Sequence, residues 1–212
     1  MKTVNSEGLV KMLVTIADSM AQQRRHLIEL DSAIGDGDLG ITMEKGFQAA
    51  AAFAKNNADL APGLLLVKSG MEIVKLAPST MGTLMGSGFI KGGKVLDQKI
   101  ELTASDLTLF FEGFLNGVLL RGKASPGEKT IVDILIPVVE QMKAYQGDDI
   151  EEVLACAEKG AQQGLENEKG MVSQHGKAAV FREKTLDLID PGSEAVAIMI
   201  SACKRSVVKE PL

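Results

Sequence analysis

The apolar residues of this chain recur mainly at steps of three and four, which is the spacing of one face of an α-helix. The first such face covers Leu9–Met20 and follows Ser6, the expected N-cap. Thr103 and Asp106 resemble a capping box, with Asp in place of the usual Glu. Asp190–Pro191 predicts the start of the last helix, because proline suits a first turn. The predicted helices cover residues 9–20, 41–55, 62–76, 80–96, 103–120, 154–165 and 191–208.

The segment Thr130–Glu140 (TIVDILIPVVE) fits two secondary structures. Its β-branched residues suit a buried strand, but Pro137 would remove a hydrogen-bond donor from a central strand. As a helix it presents one apolar stripe from Ile131 to Met142, with Pro137 tolerated as a kink. We favour the helix. The chain then has about eight helices, no convincing strand and no charged linker or repeat, which predicts one all-α domain.

Composition narrows the classes of function. The 212 residues carry 23 basic and 28 acidic side chains, a net charge of −5, and they include no Trp. A nucleic-acid partner is therefore not expected. Apolar runs stay well short of the roughly 20 residues of a membrane span, and the first residues (MKTVNSEGLV) lack the apolar stretch of a signal peptide, so neither is expected. Cys156 and Cys203 lack CxxC partners, so we expect a cytoplasmic protein without disulfides. His26 and His175 are expected to be surface residues.

The segment Leu30–Gly40 (LDSAIGDGDLG) combines glycines with carboxylates. Its glycines have the GxGxxG spacing of a dinucleotide-binding turn, but that turn follows a strand and this one follows a predicted helix. An EF-hand is excluded because the twelfth position from Asp36 is Phe47, where a glutamate is required. Gly88–Val95 has Walker-A spacing but lacks the hydroxyl that binds Mg²⁺ and the preceding strand.

Asp31, Asp36 and Asp38 thus remain as three carboxylates on a flexible segment between two predicted helices. Asp is a short, hard oxygen donor of the kind that Mg²⁺ prefers, and Mg²⁺ commonly shares its coordination shell with phosphate oxygens. Glycines allow the backbone to approach a ligand closely. The pattern favours a metal site, and a solvated acidic turn that caps the following helix is the alternative.

Four other segments are candidates for the same site. Pro78–Gly88 (PSTMGTLMGSG) places hydroxyls and glycines at a helix start, where free amides attract phosphate, although small residues suit close helix packing equally well. Arg121–Lys129 (RGKASPGEK) is a basic turn of a kind that is usually solvated, and Asp190–Gly192 fits an ordinary capped helix start. Lys177 could supply a cation to a phosphate, although a lone lysine in a loop is usually exposed.

In this order, LDSAIGDGDLGITMEKGF, RGKASPGEKTIVDILIPV and the DPG at residues 190–192 resemble the nucleotide-binding L subunit of dihydroxyacetone kinases, over essentially the whole chain. The pairing of LDxxIGDGDxG with RGKAxPGEKT is specific. The resemblance implies an all-α antiparallel barrel of eight helices with a nucleotide site at one end. Residues 1–212 would form a single nucleotide-binding L domain that works with ADP or ATP and Mg²⁺.

The resemblance also implies roles for individual residues. Two Mg²⁺ ions would be held by Asp31, Asp36 and Asp38, which would be the catalytic residues and bridge the metals to the nucleotide phosphates. The implied nucleotide contacts are Leu39, Gly40, Ile41, Thr42, Ser79, Thr80 and Met81 at the phosphates and Gly122, Ile131, Lys177, Asp190, Pro191 and Gly192 around the nucleoside.

The implied activity needs partners. In this family the acceptor is dihydroxyacetone or a related small ketose, held covalently on a histidine of a separate K subunit, so the L chain supplies half of an active site. A free-standing L chain resembles the bacterial phosphotransferase-linked form, in which bound ADP is rephosphorylated by a phosphohistidine protein, the M-type subunit. Catalysis would consist of positioning and charge neutralisation. The ketose, the donor (ATP or phosphoprotein) and the oligomeric state stay open, with a homodimer as one alternative.

Three departures from the family pattern affect the residues that would surround the nucleotide. Leu39 replaces the usual His after the third Asp, and Met81 and Thr83 replace Ser and Pro in the phosphate-contacting turn. The family's GRxSYLGxRS is GKAAVFREKT here, which loses a Tyr and a Gly and exchanges Arg for the less directional Lys. Metal ligation is expected to be intact. The alternatives are a paralogue with another ketose or donor and a non-catalytic, nucleotide-dependent regulator or sensor.

Overall fold

A computed structural model describes residues 1–208, and helices dominate this part of the chain, which confirms the all-α prediction. Two strands of two residues each, β1 (Thr3–Val4) and β2 (Leu102–Thr103), pair antiparallel. Two short 3-10 helices separated by a kink at Arg182 cover Ala178–Thr185. The α-helices are α1 (Ser6–Gln22), α2 (Arg24–Ile34), α3 (Leu39–Lys55), α4 (Pro62–Leu76), α5 (Thr80–Lys94), α6 (Ala104–Gly122), α7 (Ile131–Ala144), α8 (Ile150–Asn167) and α9 (Pro191–Val207).

Local capping explains where several helices begin. The predicted capping box of Thr103 and Asp106 is present at the start of α6, with both reciprocal hydrogen bonds formed. Thr130 and Asp133 form a second capping box at α7, so the ambiguous segment is a helix and Pro137 lies inside it. The N-cap of α1 is Asn5, whose side chain accepts a hydrogen bond from the Gly8 amide, and the prediction of Ser6 is wrong by one residue.

Eight of the described helices form a closed ring around one apolar core. Each of α3 to α8 packs against the next helix along the chain, α9 packs against α1, and α1 closes the ring against α3. The helix α2 lies outside this ring, against α3 and α9, and is separated from α1 by Gln23. Inside the ring, Phe89 makes edge-to-face contacts with Phe47, Phe110 and Phe114. The predicted eight-helix barrel is therefore present, with one additional helix.

The up-and-down order gathers alternate helix starts at one end of the barrel. The first residues of α3, α5, α7 and α9 all line one cleft there. Because each helix start carries partial positive charge and amides without partners in the helix, four of them together favour an anionic ligand. Within residues 1–208, no helix is long and apolar enough to cross a membrane.

Candidate functional site

The cleft at the barrel end has a volume of about 520 Å³. Its walls come from the four helix starts, from the acidic connection between α2 and α3, and from residues 175–178 of the long connection between α8 and α9. Such a volume is typical of a site for a small organic ligand.

The three aspartates lie together at one edge of this cleft. One carboxylate oxygen each from Asp31, Asp36 and Asp38 lie within 4.8 Å of one another. Asp31 is partly buried in the last turn of α2, so it does not belong to the flexible connection that the sequence predicted. Asp36 and Asp38 are exposed in the connection itself, and Asp38 precedes α3 directly. The fold thus brings all three carboxylates to one point.

Glycines shape this acidic connection in two ways. A Cβ atom at Gly35 would lie 2.2 Å from Oδ1 of Asp31, so a side chain there would displace the carboxylate. Gly37 has φ +73, in the left-handed region that favours glycine, and turns the chain between Asp36 and Asp38. The glycine spacing that resembles a dinucleotide-binding turn therefore serves the geometry of the carboxylates.

The donor set fits a small hard cation. Three carboxylates within 4.8 Å of one another repel each other unless a cation lies between them, and carboxylate oxygen is the ligand that Mg²⁺ prefers. The amide of Leu39 donates to Oδ2 of Asp31 at 3.2 Å and orients that carboxylate. On the cleft side, the ammonium of Lys177 contacts Oδ2 of Asp36.

The start of α5 forms the wall that the sequence suggested for phosphate. Ser79 is the N-cap, and its hydroxyl accepts a hydrogen bond from the Gly82 amide at 3.0 Å. Ser79, Thr80 and Met81 all line the cleft. Across from them, a Cβ atom on Gly192 would lie 2.9 Å from Ile131 and 3.4 Å from Met81, so α5, α7 and α9 converge at this point.

Four of the predicted site residues do not line the cleft. Gly40 faces α2, where a Cβ atom would lie 2.2 Å from the carbonyl oxygen of Arg24, and it allows close packing of α3 on α2. Ile41 and Thr42 follow it in α3, and Gly122 ends α6 beside Leu84. The predicted residues that do line the cleft are Asp31, Asp36, Asp38, Leu39, Ser79, Thr80, Met81, Ile131, Lys177, Asp190, Pro191 and Gly192.

The structure adds cleft residues that the sequence analysis placed elsewhere. Lys129 ends the turn that was expected to be solvated, yet its side chain is only 1% exposed. His175 is exposed, as predicted, and it also lines the cleft, where it contacts Oε2 of Glu128 at 2.5 Å. Lys129 lies within the RGKASPGEKT motif, but local patterning has no signal for its burial, because its partners lie 42 to 57 residues away.

A buried charge cluster lies behind the wall formed by Lys129. Burial, reinforced by the charge of Asp190, raises the pKa of Glu168 to about 8, and Glu168 is 1% exposed. Its Oε1 accepts a hydrogen bond from the Ser193 hydroxyl. Burial also raises the pKa of Asp190 to about 6, against the hydrogen bond that the Ser193 amide donates to Oδ2 of Asp190. Burial lowers the pKa of Lys129, while the nearby carboxylates oppose that shift.

Comparison with known proteins gives consistent matches along most of the chain. Residues 33–205 match the DAK2 domain family. The chain is 29% identical over 194 residues to the ADP-binding subunit DhaL of the PEP-dependent dihydroxyacetone kinase of Escherichia coli, covering 91% of this chain and 92% of that protein. It is 30% identical over 208 residues to the corresponding subunit of kinase 1 of Listeria innocua, covering 97% and 99%.

The fold matches a solved structure as well. The dihydroxyacetone kinase from C. freundii, crystallised with AMP-PNP and Mg²⁺, superposes with a TM-score of 0.70 at 22% identity. The match covers 93% of this chain and 33% of that one, so this chain corresponds to about a third of the kinase chain. Together with the family match over residues 33–205, these similarities show that the chain belongs to the DAK2 domain family.

Proposed function

We propose that this chain is the nucleotide-binding subunit of a dihydroxyacetone-type kinase and that it binds ADP or ATP with Mg²⁺ in the cleft. The observation that carries the proposal is the arrangement of charge. Three carboxylates within 4.8 Å of one another border a cleft lined by four helix starts. A nucleotide with Mg²⁺ carries both signs of charge that such a site needs, because helix starts bind phosphate and carboxylates bind the cation.

The relatives support this assignment. Two proteins that this chain matches over more than nine tenths of their length are named ADP-binding subunits of PEP-dependent dihydroxyacetone kinases. A structural neighbour was crystallised with AMP-PNP and Mg²⁺. We therefore assign residues 1–212 to a single nucleotide-binding domain of an enzyme with kinase activity.

Different residues of the chain would bind the metal and the phosphates. Asp31, Asp36 and Asp38 would hold Mg²⁺, two ions by the family resemblance, and Mg²⁺ would neutralise charge on the transferring phosphoryl group. The amides at the start of α5, at Thr80 and Met81, would bind phosphate oxygens. The ammonium of Lys177 contacts Asp36 at the cleft edge and would move from that carboxylate to phosphate when the metal binds.

The remaining half of the reaction would come from other chains. By the family resemblance, a K subunit would hold dihydroxyacetone or a related small ketose at the cleft mouth. Because the relatives of matching length are PEP-dependent, we assign the phosphoryl donor to a phosphohistidine protein, with bound ADP as the carrier. The role of this chain is then to hold the nucleotide in line with the acceptor, which lowers the barrier by positioning.

Calorimetry on the purified chain tests the proposal. ADP should bind in the presence of Mg²⁺ and lose affinity when Mg²⁺ is chelated. Asp36→Ala should lower the affinity for ADP with Mg²⁺ by about 100-fold, as expected for loss of a metal ligand. Asp18→Ala, which removes an exposed carboxylate on α1, is the matched control and should bind like the unmodified chain.

Two outcomes decide between the proposal and its alternative. Absence of ADP binding to the unmodified chain would refute the nucleotide site. Nucleotide binding without phosphoryl transfer to dihydroxyacetone, in the presence of a K-type subunit and a phosphohistidine donor, would favour the non-catalytic sensor. That alternative has one structural observation in its favour, since Leu39, at the position of the usual His, is buried in the core.

A further inference from the structure

The connection between α8 and α9 is a loop with a closed base. Its two arms are joined where the amide of Gly170 donates to the carbonyl of Leu186 at 3.2 Å. A second bond runs from the amide of Ser173 to the hydroxyl of Thr185 at 2.9 Å. We call residues 170–186 the 170–186 loop. Beyond its base, the loop carries Lys177 into the lining of the cleft.

Lys129, in the connection between α6 and α7, joins both arms of this loop. Its ammonium donates to the carbonyl of Met171 at 3.2 Å on the first arm. On the second arm it donates to the carbonyl of Leu186 at 3.2 Å and to that of Thr185. An ammonium group has three donors, and these three carbonyls account for all of them. The side chain is fully enclosed, so water does not compete for these bonds.

The backbone conformation at Lys129 indicates that this position requires a lysine side chain. Its φ is +55, in the left-handed region, where glycine would be less strained. A buried ammonium also costs desolvation energy unless it is paired and hydrogen-bonded. The negative charges of Asp190 and Asp187 near it oppose that cost. A lysine in this conformation and environment is therefore explained by the three carbonyls that it binds.

We propose that Lys129 is a positioning residue for the nucleotide site, because it fixes the 170–186 loop and thereby holds Lys177 beside Asp36. The expected effect of Lys129 on nucleotide binding rests on the proposed function, whereas its expected effect on the loop does not. The remaining ties of the loop to the connection between α6 and α7 run from the Gln174 amide to the Glu128 carbonyl, at 3.1 Å, and from His175 to the Glu128 carboxylate. Neither of these joins the two arms.

Trypsin gives a direct readout of the loop. Lys177, Arg182 and Lys184 are exposed cleavage sites within it. In Lys129→Met, which keeps the length of the side chain and removes its donors, cleavage at these sites should rise at least about 10-fold, the factor expected for loss of a charged hydrogen bond. Cleavage elsewhere should change less. Lys123→Met, an exposed lysine in the same connection between α6 and α7, is the matched control and should leave the loop unchanged.

The affinity for ADP is then measured on the same variants. The affinity of Lys129→Met for ADP with Mg²⁺ should fall about 10-fold. Lys129→Arg, which keeps the charge and several donors, should recover most of the protection from trypsin and most of the affinity. If Lys129→Met does not fold, Lys129→Gln serves in its place, since its amide can still donate to one carbonyl.

The outcomes separate the two proposals. A folded Lys129→Met whose loop is cleaved at the rate of the unmodified chain would overturn the positioning role. So would increased cleavage with unchanged ADP affinity. If the unmodified chain binds no ADP, the proposed function fails, while the trypsin comparison still decides whether Lys129 holds the loop.

Discussion

The two sides of the cleft carry carboxylate clusters that differ in their exposure to solvent. Asp31, Asp36 and Asp38 are exposed or partly buried, and they border the cleft at a distance from one another that suits a shared cation. Glu168 is enclosed beside Lys129, Asp190 is partly buried where it lines the cleft, and burial raises the pKa of both carboxyl groups. The first cluster offers its charge to a ligand, whereas the second neutralises its charge internally, by proton or by ammonium.

Solvent access distinguishes a cluster that can bind a ligand from one that stabilises a wall of the cleft. Carboxylates that solvent and ligands can reach attract a cation, while an enclosed carboxylate without sufficient partners takes up a proton. Oε2 of Glu168 is buried without a hydrogen-bond partner in the described part of the chain, which agrees with a protonated group. Variants that change one cluster and leave the other intact test this contrast.

The largest effect is expected from Glu168→Gln on the pH dependence of stability. Because the folded chain raises the pKa of Glu168 from 4.5 to about 8, it binds more protons than the unfolded chain between these values. Stability should therefore fall as pH rises from about 5 to 8, by up to about 4 kcal/mol from this group. Urea unfolding across this range should show a flatter curve for Glu168→Gln.

Asp190 contributes in the same direction below pH 6, so some pH dependence should remain in the variant. Glu166→Gln, at an exposed position in the last turn of α8, is the matched control and should keep the slope of the unmodified chain. Equal slopes for Glu168→Gln and the unmodified chain would mean that Glu168 is ionised at neutral pH, and the contrast between the two clusters would be lost.

An intermediate effect is expected from Gly35→Ala on the exposed cluster. The new methyl group would overlap Oδ1 of Asp31, so the carboxylate must move from its neighbours. We expect the affinity for ADP with Mg²⁺ to fall about 10-fold, which is typical when a metal ligand loses its orientation. Ser32→Ala, an exposed change in the preceding turn, is the control. Unchanged affinity in Gly35→Ala would show that the position of Asp31 does not matter for binding.

The smallest effect is expected from Arg182→Gly in the 170–186 loop. Arg182 has φ +49 and ψ −127, a conformation that is strained for a residue with a side chain. Glycine should raise the free energy of unfolding by about 1 kcal/mol, which corresponds to about 2–4 °C in thermal unfolding. Lys184→Gly is the control in the same loop and should give no gain. A loss of stability in Arg182→Gly would mean that the arginine side chain contributes more than its backbone strain costs.

Much of the fold follows from local pattern. The steps of three and four predicted the long helices, and Thr103 with Asp106 marked a helix start correctly. The helix α2 was not given as a separate element, because its apolar face is narrow and only Leu27 and Ile34 are buried in it. The two short strands were not predicted either, because a strand of two residues is too short to show an alternation of apolar and polar positions.

The sequence by itself determined the acidic connection, because three aspartates and their glycines lie within eleven consecutive residues and their chemistry is local. Tertiary structure alone decided the other wall. Lys129, Glu168 and Asp190 are far apart along the chain, and only the closing of the helical ring brings them together. The physical reason is burial, which turns a basic turn and an ordinary glutamate into a desolvated cluster, and burial depends on residues distant in sequence.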